Sequence, residues 1–152
     1  MQVFSFDIAS ELKAAPEEIW RDVFDMEGVN AELAPYIRMS YPADTDWTKP
    51  VETGQVLFNS NISLFGVLPV DQHYLRFEHV EPGRGFHEYS YSIMNNLWEH
   101  KRTLEPTETG TLLRDEIRFS PQLTVLGWLL KGIYQSVFRH RHKRLRQRYN
   151  RD

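Results

Sequence analysis

Apolar residues near the end of the chain recur every three or four positions, and this spacing predicts one long helix over Pro121–Tyr149. Ser120 and Pro121 form a typical helix start, because serine caps free backbone N–H groups and proline fits the first helical position. With a rise of about 1.5 Å per residue, this helix is long enough to cross a small domain. Its apolar stripe consists of Leu126, Leu130, Ile133, Tyr134, Val137, Phe138, Leu145 and Tyr149.

The first half of this predicted helix is apolar on almost every side. Val125, Trp128 and Leu129 lie off the main stripe, so we expect this half to be covered by other elements on more than one side. Gly127 and Gly132 interrupt it, and each costs about 1 kcal/mol relative to alanine inside a helix. The two glycines indicate a close backbone approach, or space left for another group.

The second half, from Arg139 to Asp152, is strongly basic, with seven Lys or Arg residues and one Asp. One interpretation is a solvated helix end, because cations are favourable at a helix C-terminus. The other is a patch that docks on an anionic lipid surface or RNA. In that second case, the contacting residues would be Arg139, Arg141, Lys143, Arg144, Arg146 and Arg148.

Ahead of the helix, runs of alternating apolar and polar residues predict strands. The first strand, Val3–Leu12, precedes a short helix that opens at Pro16 with acidic residues in its first turn. A second short helix is predicted over Glu27–Leu33. Six further strands are predicted at Tyr36–Tyr41, Gln55–Phe65, Val70–Val80, Phe86–Met94, Leu97–Leu104 and Thr111–Phe119. Strands grouped between helices favour an α+β fold, in a single domain over residues 1–152.

The amino-acid composition excludes several classes of function. The chain has no cysteine, which excludes disulfides, thiol chemistry and cysteine-ligated zinc. Its N-terminus lacks the basic and apolar segments of a secretory signal, and no apolar run approaches the length of a membrane span, so we expect a cytoplasmic protein. His73, His79 and His87 lack metal-ligand spacing, and Gly83 and Gly85 lie in a hairpin rather than before a helix. We therefore predict no metal and no cofactor.

The order of elements resembles the START-like, or SRPBCC, superfamily, whose fold is the helix-grip of the birch-pollen allergen group. The segments that carry the resemblance are LKAAPEEIWRDVFDME, LWEHKRTLEP followed by GTLLRDEIRFSP, and VFRHRHKRLRQ. It extends over essentially the whole chain. It implies a seven-stranded antiparallel sheet wrapped around the long C-terminal helix, two short helices after the first strand, and a cavity between sheet and helix. Members include carriers of lipids, sterols and hormones, and a few polyketide cyclases.

Three polar side chains fall on the predicted concave face of the sheet. His100 and Arg102 share one face of a strand with Trp98, and Asp115 occupies the corresponding face of the next strand. Residues directly opposite each other across a hairpin lie about 5 Å apart, so Arg102 and Asp115 can form a pair with His100 beside it. Buried charges are normally paired, so one interpretation is an ion pair within the wall.

Two functional interpretations of the same residues remain open. Arg102 and His100 could anchor a carboxylate, carbonyl or hydroxyl group inside an apolar cavity, which is the usual design of a small-molecule site. Alternatively, His100 could act as a general acid or base, as in the cyclase members that the chain resembles, although nothing marks a nucleophile beside it. Further candidates for the cavity lining are Trp20, Phe24, Trp98, Trp128, Leu130 and Tyr134, with Trp47 as a lid or partner contact.

These observations favour non-enzymatic binding or transport of a small hydrophobic ligand of lipid, polyketide or aromatic type. One alternative is a cyclase-, aromatase- or hydrolase-like enzyme that uses His100. The other is an interaction module that docks through the basic helix end.

Overall fold

Seven strands form one antiparallel sheet that curls around a long C-terminal helix in the computed structural model, which describes residues 1–151. The strand order is β1-β7-β6-β5-β4-β3-β2, so the first strand joins the last and the others follow as a meander. The α+β helix-grip prediction is thereby confirmed. The elements are β1 Phe4–Leu12, α1 Pro16–Val23, α2 Met26–Leu33, β2 Ile37–Met39, β3 Val56–Leu64, β4 Leu68–Glu81, β5 Gly85–Ser92, β6 Asn95–Pro106, β7 Thr111–Pro121 and α3 Gly127–Tyr149.

The two short helices begin where the sequence provides start signals. Pro16 occupies the start of α1, with Glu17 and Glu18 in its first turn. The side chain of Asp25 caps α2 by accepting a hydrogen bond of 2.6 Å from the Gly28 backbone N–H. These signals set where the two helices begin, and α2 packs against α3.

The long helix begins later than the sequence predicts. β7 continues to Pro121, and a short 3₁₀ turn at Thr124–Leu126 leads into α3 at Gly127. The prediction of a helix start at Pro121 is wrong, because a residue without an N–H also fits the end of a strand. Gly127 makes a close approach, since a Cβ atom there would lie 2.1 Å from the Phe4 ring.

The two halves of α3 are buried in a different way from the prediction. The first half leaves Trp128 71% exposed and Leu129 62% exposed, so the expected cover on several sides is absent there. In the second half, Arg141, His142 and Leu145 are buried, so this half is not simply a solvated end. The reason is that three neighbours cover this half: His142 is buried against β1 and β7, Leu145 packs against α1 and the sheet, and Arg141 contacts the buried Glu32 of α2.

Exposed apolar side chains gather at one end of the molecule, which we call the apolar end. Because neighbouring strands are antiparallel, the β3–β4 turn, the β5–β6 turn and the β7–α3 connection all lie at this end. The exposed side chains there include Phe65, Val67, Ile93, Leu123, Val125 and Trp128. No helix within residues 1–151 is long and apolar enough to cross a lipid bilayer.

Candidate functional site

A cavity of about 360 Å³ lies between the curled sheet, α2 and α3. Most of its lining is apolar, with side chains from the sheet facing those of the helices. Val70 and Ile133 line the cavity and are also substantially exposed, so it reaches the surface at the apolar end. The volume lies within the range of small-molecule sites, about 300–1,000 Å³.

The residues predicted from sequence fall into two groups. Phe24, Trp98, His100, Leu130 and Tyr134 line the cavity, and so does Trp47 from the loop between β2 and β3. The others do not line it: Arg102 and Asp115 are buried in the wall, Trp20 stacks on Phe24 with ring centres 4.2 Å apart, and Trp128 lies on the surface.

Arg102 and Asp115 form the predicted pair. They are directly opposite each other in the β6–β7 register. The guanidinium Nε and Nη2 atoms donate to the two carboxylate oxygens of Asp115 over 2.7 and 2.9 Å. Both side chains are fully buried, so a fork of charge-assisted hydrogen bonds replaces the water that each charge has lost.

A second carboxylate and a second guanidinium complete this buried cluster. Glu32 of α2 accepts from Arg102 over 2.8 and 3.0 Å and from Arg141 Nε over 3.0 Å. The two cations and two anions balance in formal charge. Sequence reasoning missed Glu32 and placed Arg141 on an anionic-docking surface, because periodicity within one element does not show which helices will meet.

Asp115 also holds a histidine of the long helix. His142 Nε2 lies 2.7 Å from Asp115 Oδ2, and its Nδ1 lies 2.8 Å from Ser10 Oγ. Arg146 donates to the same serine oxygen over 3.0 Å. This Ser–His–Asp chain resembles a nucleophilic triad in composition, but none of the three residues lines the cavity. It therefore ties α3 to β1 and β7 rather than presenting a nucleophile to a ligand.

His100 connects the buried cluster to the cavity. Its Nε2 atom lies 2.7 Å from Asp115 Oδ1, and its Nδ1 atom lies 3.8 Å from Glu88 Oε1. Burial lowers the pKa of His100 below its usual value, and the attraction of Asp115 offsets this only in part. The ring is therefore neutral near pH 7, with its N–H given to Asp115 and a lone pair on Nδ1.

The acids of the cluster are held in their charged forms. Burial by itself would raise the pKa of Asp115, but Arg102 and His100 outweigh it and hold that pKa well below its usual range. The same balance, with Arg102 and Arg141 as the opposing charges, lowers the pKa of Glu32. Burial by itself would lower the pKa of Arg102, but Asp115 and Glu32 outweigh this effect and hold that pKa well above its usual value.

Glu88 forms a second polar group in the cavity wall. Its Oε2 atom lies 2.5 Å from His73 Nε2 and accepts from Ser90 Oγ over 2.7 Å. Burial would raise the pKa of Glu88, but His73 and the hydrogen bond from Ser90 outweigh it, so the pKa is lowered. Glu88 follows Phe86 on the concave face of β5, so strict alternation along that strand could have identified it.

Asn95 and Tyr134 form a third polar group, at the apolar end of the cavity. Asn95 Nδ2 donates to Tyr134 Oη over 2.9 Å, and Asn95 Oδ1 has no hydrogen-bond partner. Burial raises the pKa of Tyr134. Asn95 lies between the predicted strands Phe86–Met94 and Leu97–Leu104, but in the structure it begins β6 and is buried. An irregular register between Asn95 and Leu97 turns its side chain to the cavity, which alternation cannot anticipate.

The basic residues of the helix end are partly engaged within the chain. Arg141 is buried against Glu32, so it is not available to an anionic surface. Arg148 lies 3.4 Å from Asp22, and Arg144 donates to the Ala31 carbonyl. Docking of this surface on an anionic partner stays a prediction. Its remaining exposed cations include Arg139 and Lys143.

Solved structures of other proteins show the same fold. Protein CV1439 from Chromobacterium violaceum superposes with a TM-score of 0.70 at 16% identity, over 97% of this chain and 99% of that one. A START superfamily protein from Mycobacterium smegmatis gives 0.67 at 16% identity, over 97% of each chain. The Zhui aromatase/cyclase from a Streptomyces species gives 0.59 at 9% identity, over 96% of each. The fold is therefore that of the START-like, or SRPBCC, superfamily, as the sequence predicts.

The chain belongs to the family described as Domain of unknown function (DUF8410), whose model matches residues 10–149. A comparison with curated proteins found no match. In residues 1–151, no group of His, Asp and Glu side chains is arranged to hold a metal ion.

Proposed function

We propose that this protein binds a small apolar molecule, noncovalently, in the cavity between the sheet and α3. The observation that carries the proposal is the cavity itself, about 360 Å³ in volume and lined mostly by apolar side chains. Burying apolar surface contributes about 25 cal/mol per Å², so such a wall favours an apolar occupant over water. The START-like fold supports the proposal without identifying the molecule.

A fluorescent probe tests whether the cavity binds. N-phenyl-1-naphthylamine is neutral, and its emission rises when it leaves water. We expect saturable binding to the purified protein, and native mass spectrometry of the same sample reports any molecule retained through purification. The Val137→Phe variant narrows the cavity, because Val137 lines it. This change should weaken probe binding by about tenfold or more, since overfilling a packed site forces neighbouring side chains to move.

Val125→Phe is the matched control, because Val125 is 88% exposed and lies outside the cavity. It should bind the probe like the wild type. Circular dichroism establishes that both variants fold. Equal binding by Val137→Phe and the wild type would place the probe on the exposed apolar end and overturn the proposal. Absence of probe binding by the wild type would do the same.

A second candidate function rests on His100. Its Nε2–H is directed to the Asp115 carboxylate at 2.7 Å, which leaves the lone pair of Nδ1 at the cavity wall beside Glu88. A histidine oriented by a carboxylate in this way is suited to general-base catalysis. It could remove a proton from a carbon next to a ketone, with the electron pair passing into an enolate. This is one step of the chemistry of an aromatase or cyclase.

Deuterium exchange at the activated methylene of 2-tetralone, followed by NMR, tests this second function. Wild type should accelerate exchange above buffer, and His100→Gln should abolish the acceleration while retaining affinity for the fluorescent probe. His79→Gln, at an exposed position on β4, is the control. No acceleration by the wild type, or an unchanged rate in His100→Gln, would leave binding as the function.

A further inference from the structure

The polar groups of the cavity wall are rich in hydrogen-bond acceptors. Asp25, Asp71 and Glu88 contribute carboxylates to the lining. Arg141 contributes a guanidinium, whose Nε donates to Glu32. The three carboxylates outnumber this cation, so an anionic ligand would face a wall of net negative formal charge, and burying a charge that is not paired is strongly unfavourable.

One polar side chain in this wall lacks a partner. Asn95 is only 3% exposed, its amide nitrogen is bonded to Tyr134 Oη, and its Oδ1 atom has no hydrogen bond. A buried polar atom without a partner is unfavourable, because it has lost its hydrogen bonds to water. Within residues 1–151, the Tyr134 hydroxyl proton likewise has no acceptor at hydrogen-bond distance. The pair thus offers one acceptor and one donor to a molecule in the cavity.

The backbone of β6 is distorted at the place where this pair is formed. Strict alternation would place Asn95 on the outer face with Leu97 and Glu99, but the register of β6 against β7 is irregular between Asn95 and Leu97. Bulges of this kind redirect a side chain and are frequent next to functional sites. The same distortion that leaves Oδ1 without a partner turns Asn95 toward the cavity.

We infer that the Asn95–Tyr134 pair recognises a hydroxyl group on an otherwise apolar, uncharged ligand, and that the cavity discriminates against carboxylates. A hydroxyl donates to Asn95 Oδ1 while accepting from Tyr134 Oη. If the amide is rotated by half a turn, its nitrogen becomes the free group, and the hydroxyl still satisfies both partners because it donates and accepts. An ether can accept but not donate. This inference rests on the proposed binding function and names the chemistry of its ligand.

Three matched probes test the inference by displacement of N-phenyl-1-naphthylamine at pH 8. They are 1-decanol, its isomer 1-methoxynonane, and decanoate, which is anionic at this pH. In the wild type we expect 1-decanol to bind about tenfold more tightly than either of the other two, because each of them leaves a polar group of the pair unsatisfied. Asn95→Leu should bring 1-decanol and 1-methoxynonane to equal affinity.

Two further variants make the test specific. Tyr134→Phe removes the hydroxyl donor and should also reduce the advantage of 1-decanol over 1-methoxynonane. This variant replaces Asn95→Leu in the test if Asn95→Leu does not fold. Ser60→Ala is the control, because Ser60 Oγ is another buried atom without a partner but does not line the cavity. It should retain the full preference for the alcohol.

The outcomes separate this inference from the function on which it rests. Equal binding of the three probes by the wild type, or an unchanged preference in Asn95→Leu, would overturn the hydroxyl site while leaving apolar binding intact. Tighter binding of decanoate than of 1-decanol would also overturn it. If the wild type binds neither the fluorescent probe nor any of the three compounds, the proposed function itself fails.

Discussion

Single side chains in the wall of this protein show two ways of burying polar groups. Arg102 is placed between two carboxylates, so each of its charged hydrogen bonds has a partner. Asn95, which lines the cavity, instead retains one buried oxygen without a partner. The first arrangement stabilises the fold and leaves nothing for a ligand. The second leaves a specific group unsatisfied until a ligand provides a partner, which is why we locate recognition there rather than at Arg102.

Replacing Arg102 with Met should strongly destabilise the protein. The change leaves Asp115 and Glu32 buried without their main cation, and breaking one side of a buried ion pair typically costs about 3–5 kcal/mol. Urea denaturation measures the loss. Arg114→Met is the control, because the Arg114–Asp7 pair is exposed and such pairs contribute about 1 kcal/mol or less. Equal losses in the two variants would contradict the assigned role of the cluster.

The free energy of unfolding should fall as the pH drops from 7 to 5. His100 has its pKa lowered from 6.5 by burial, so the unfolded chain takes up a proton in this window before the folded chain does. Stability is therefore fully present above about pH 6.5 and is lost as protons bind preferentially to the unfolded state. Below about pH 4 the lowered pKa values of Asp115, Glu32 and Glu88 act in the same direction.

Urea denaturation across this pH range checks the assignment. His100→Gln should reduce the change in the free energy of unfolding between pH 7 and 5, whatever its effect on absolute stability. His79→Gln, at the exposed position on β4, should preserve the slope. If the free energy of unfolding of His100→Gln fell with pH as steeply as that of the wild type, the assignment of a neutral, buried His100 would be contradicted.

At the scale of elements, α3 depends on its neighbours more than on its own pattern. Its start is decided by β7, which holds the chain in the sheet as far as Pro121. Its second half is buried because the sheet covers His142 and Leu145 and because α2 brings Glu32 to Arg141. Periodicity predicts that the helix exists and where it ends, since those follow from local spacing. Which of its faces are covered depends on contacts between residues that are distant in sequence.

Two glycines of α3 should respond to alanine in opposite directions. Gly127→Ala places a methyl group against the Phe4 ring, and such overpacking costs about 1–3 kcal/mol. Gly132→Ala has open space around its Cβ atom, and it should stabilise the protein by about 0.5–1 kcal/mol, because alanine loses less backbone entropy in a helix. Urea denaturation of the two variants measures both signs. Destabilisation by Gly132→Ala would show that the space beside it is needed.

At the scale of the whole molecule, the cavity and the exposed apolar residues share one end. Ile133 belongs to both, because it lines the cavity and is about half exposed. The opposite end carries the polar β4–β5 and β6–β7 turns and the basic end of α3. We therefore expect a ligand to enter and leave at the apolar end.

Ile133→Trp should slow the exchange of a bound probe. A larger side chain at the opening hinders entry and exit alike. The association and dissociation rate constants of N-phenyl-1-naphthylamine, measured by stopped flow, should therefore both fall by about fivefold while the dissociation constant changes little. Leu129→Trp is the control, because Leu129 is exposed on the same helix but does not line the cavity. Unchanged rates in Ile133→Trp would indicate that the probe enters elsewhere.

The sequence by itself determined the order of elements, the START-like fold and the Arg102–Asp115 pair. Alternation along β6 and β7, combined with hairpin pairing, is local information, so it predicts which side chains meet across that hairpin. The tertiary structure alone decided that Glu32 and Arg141 neutralise the pair from two helices. It also decided that an irregular register turns Asn95 into the cavity. Both features depend on contacts and backbone distortions that no single element's periodicity encodes.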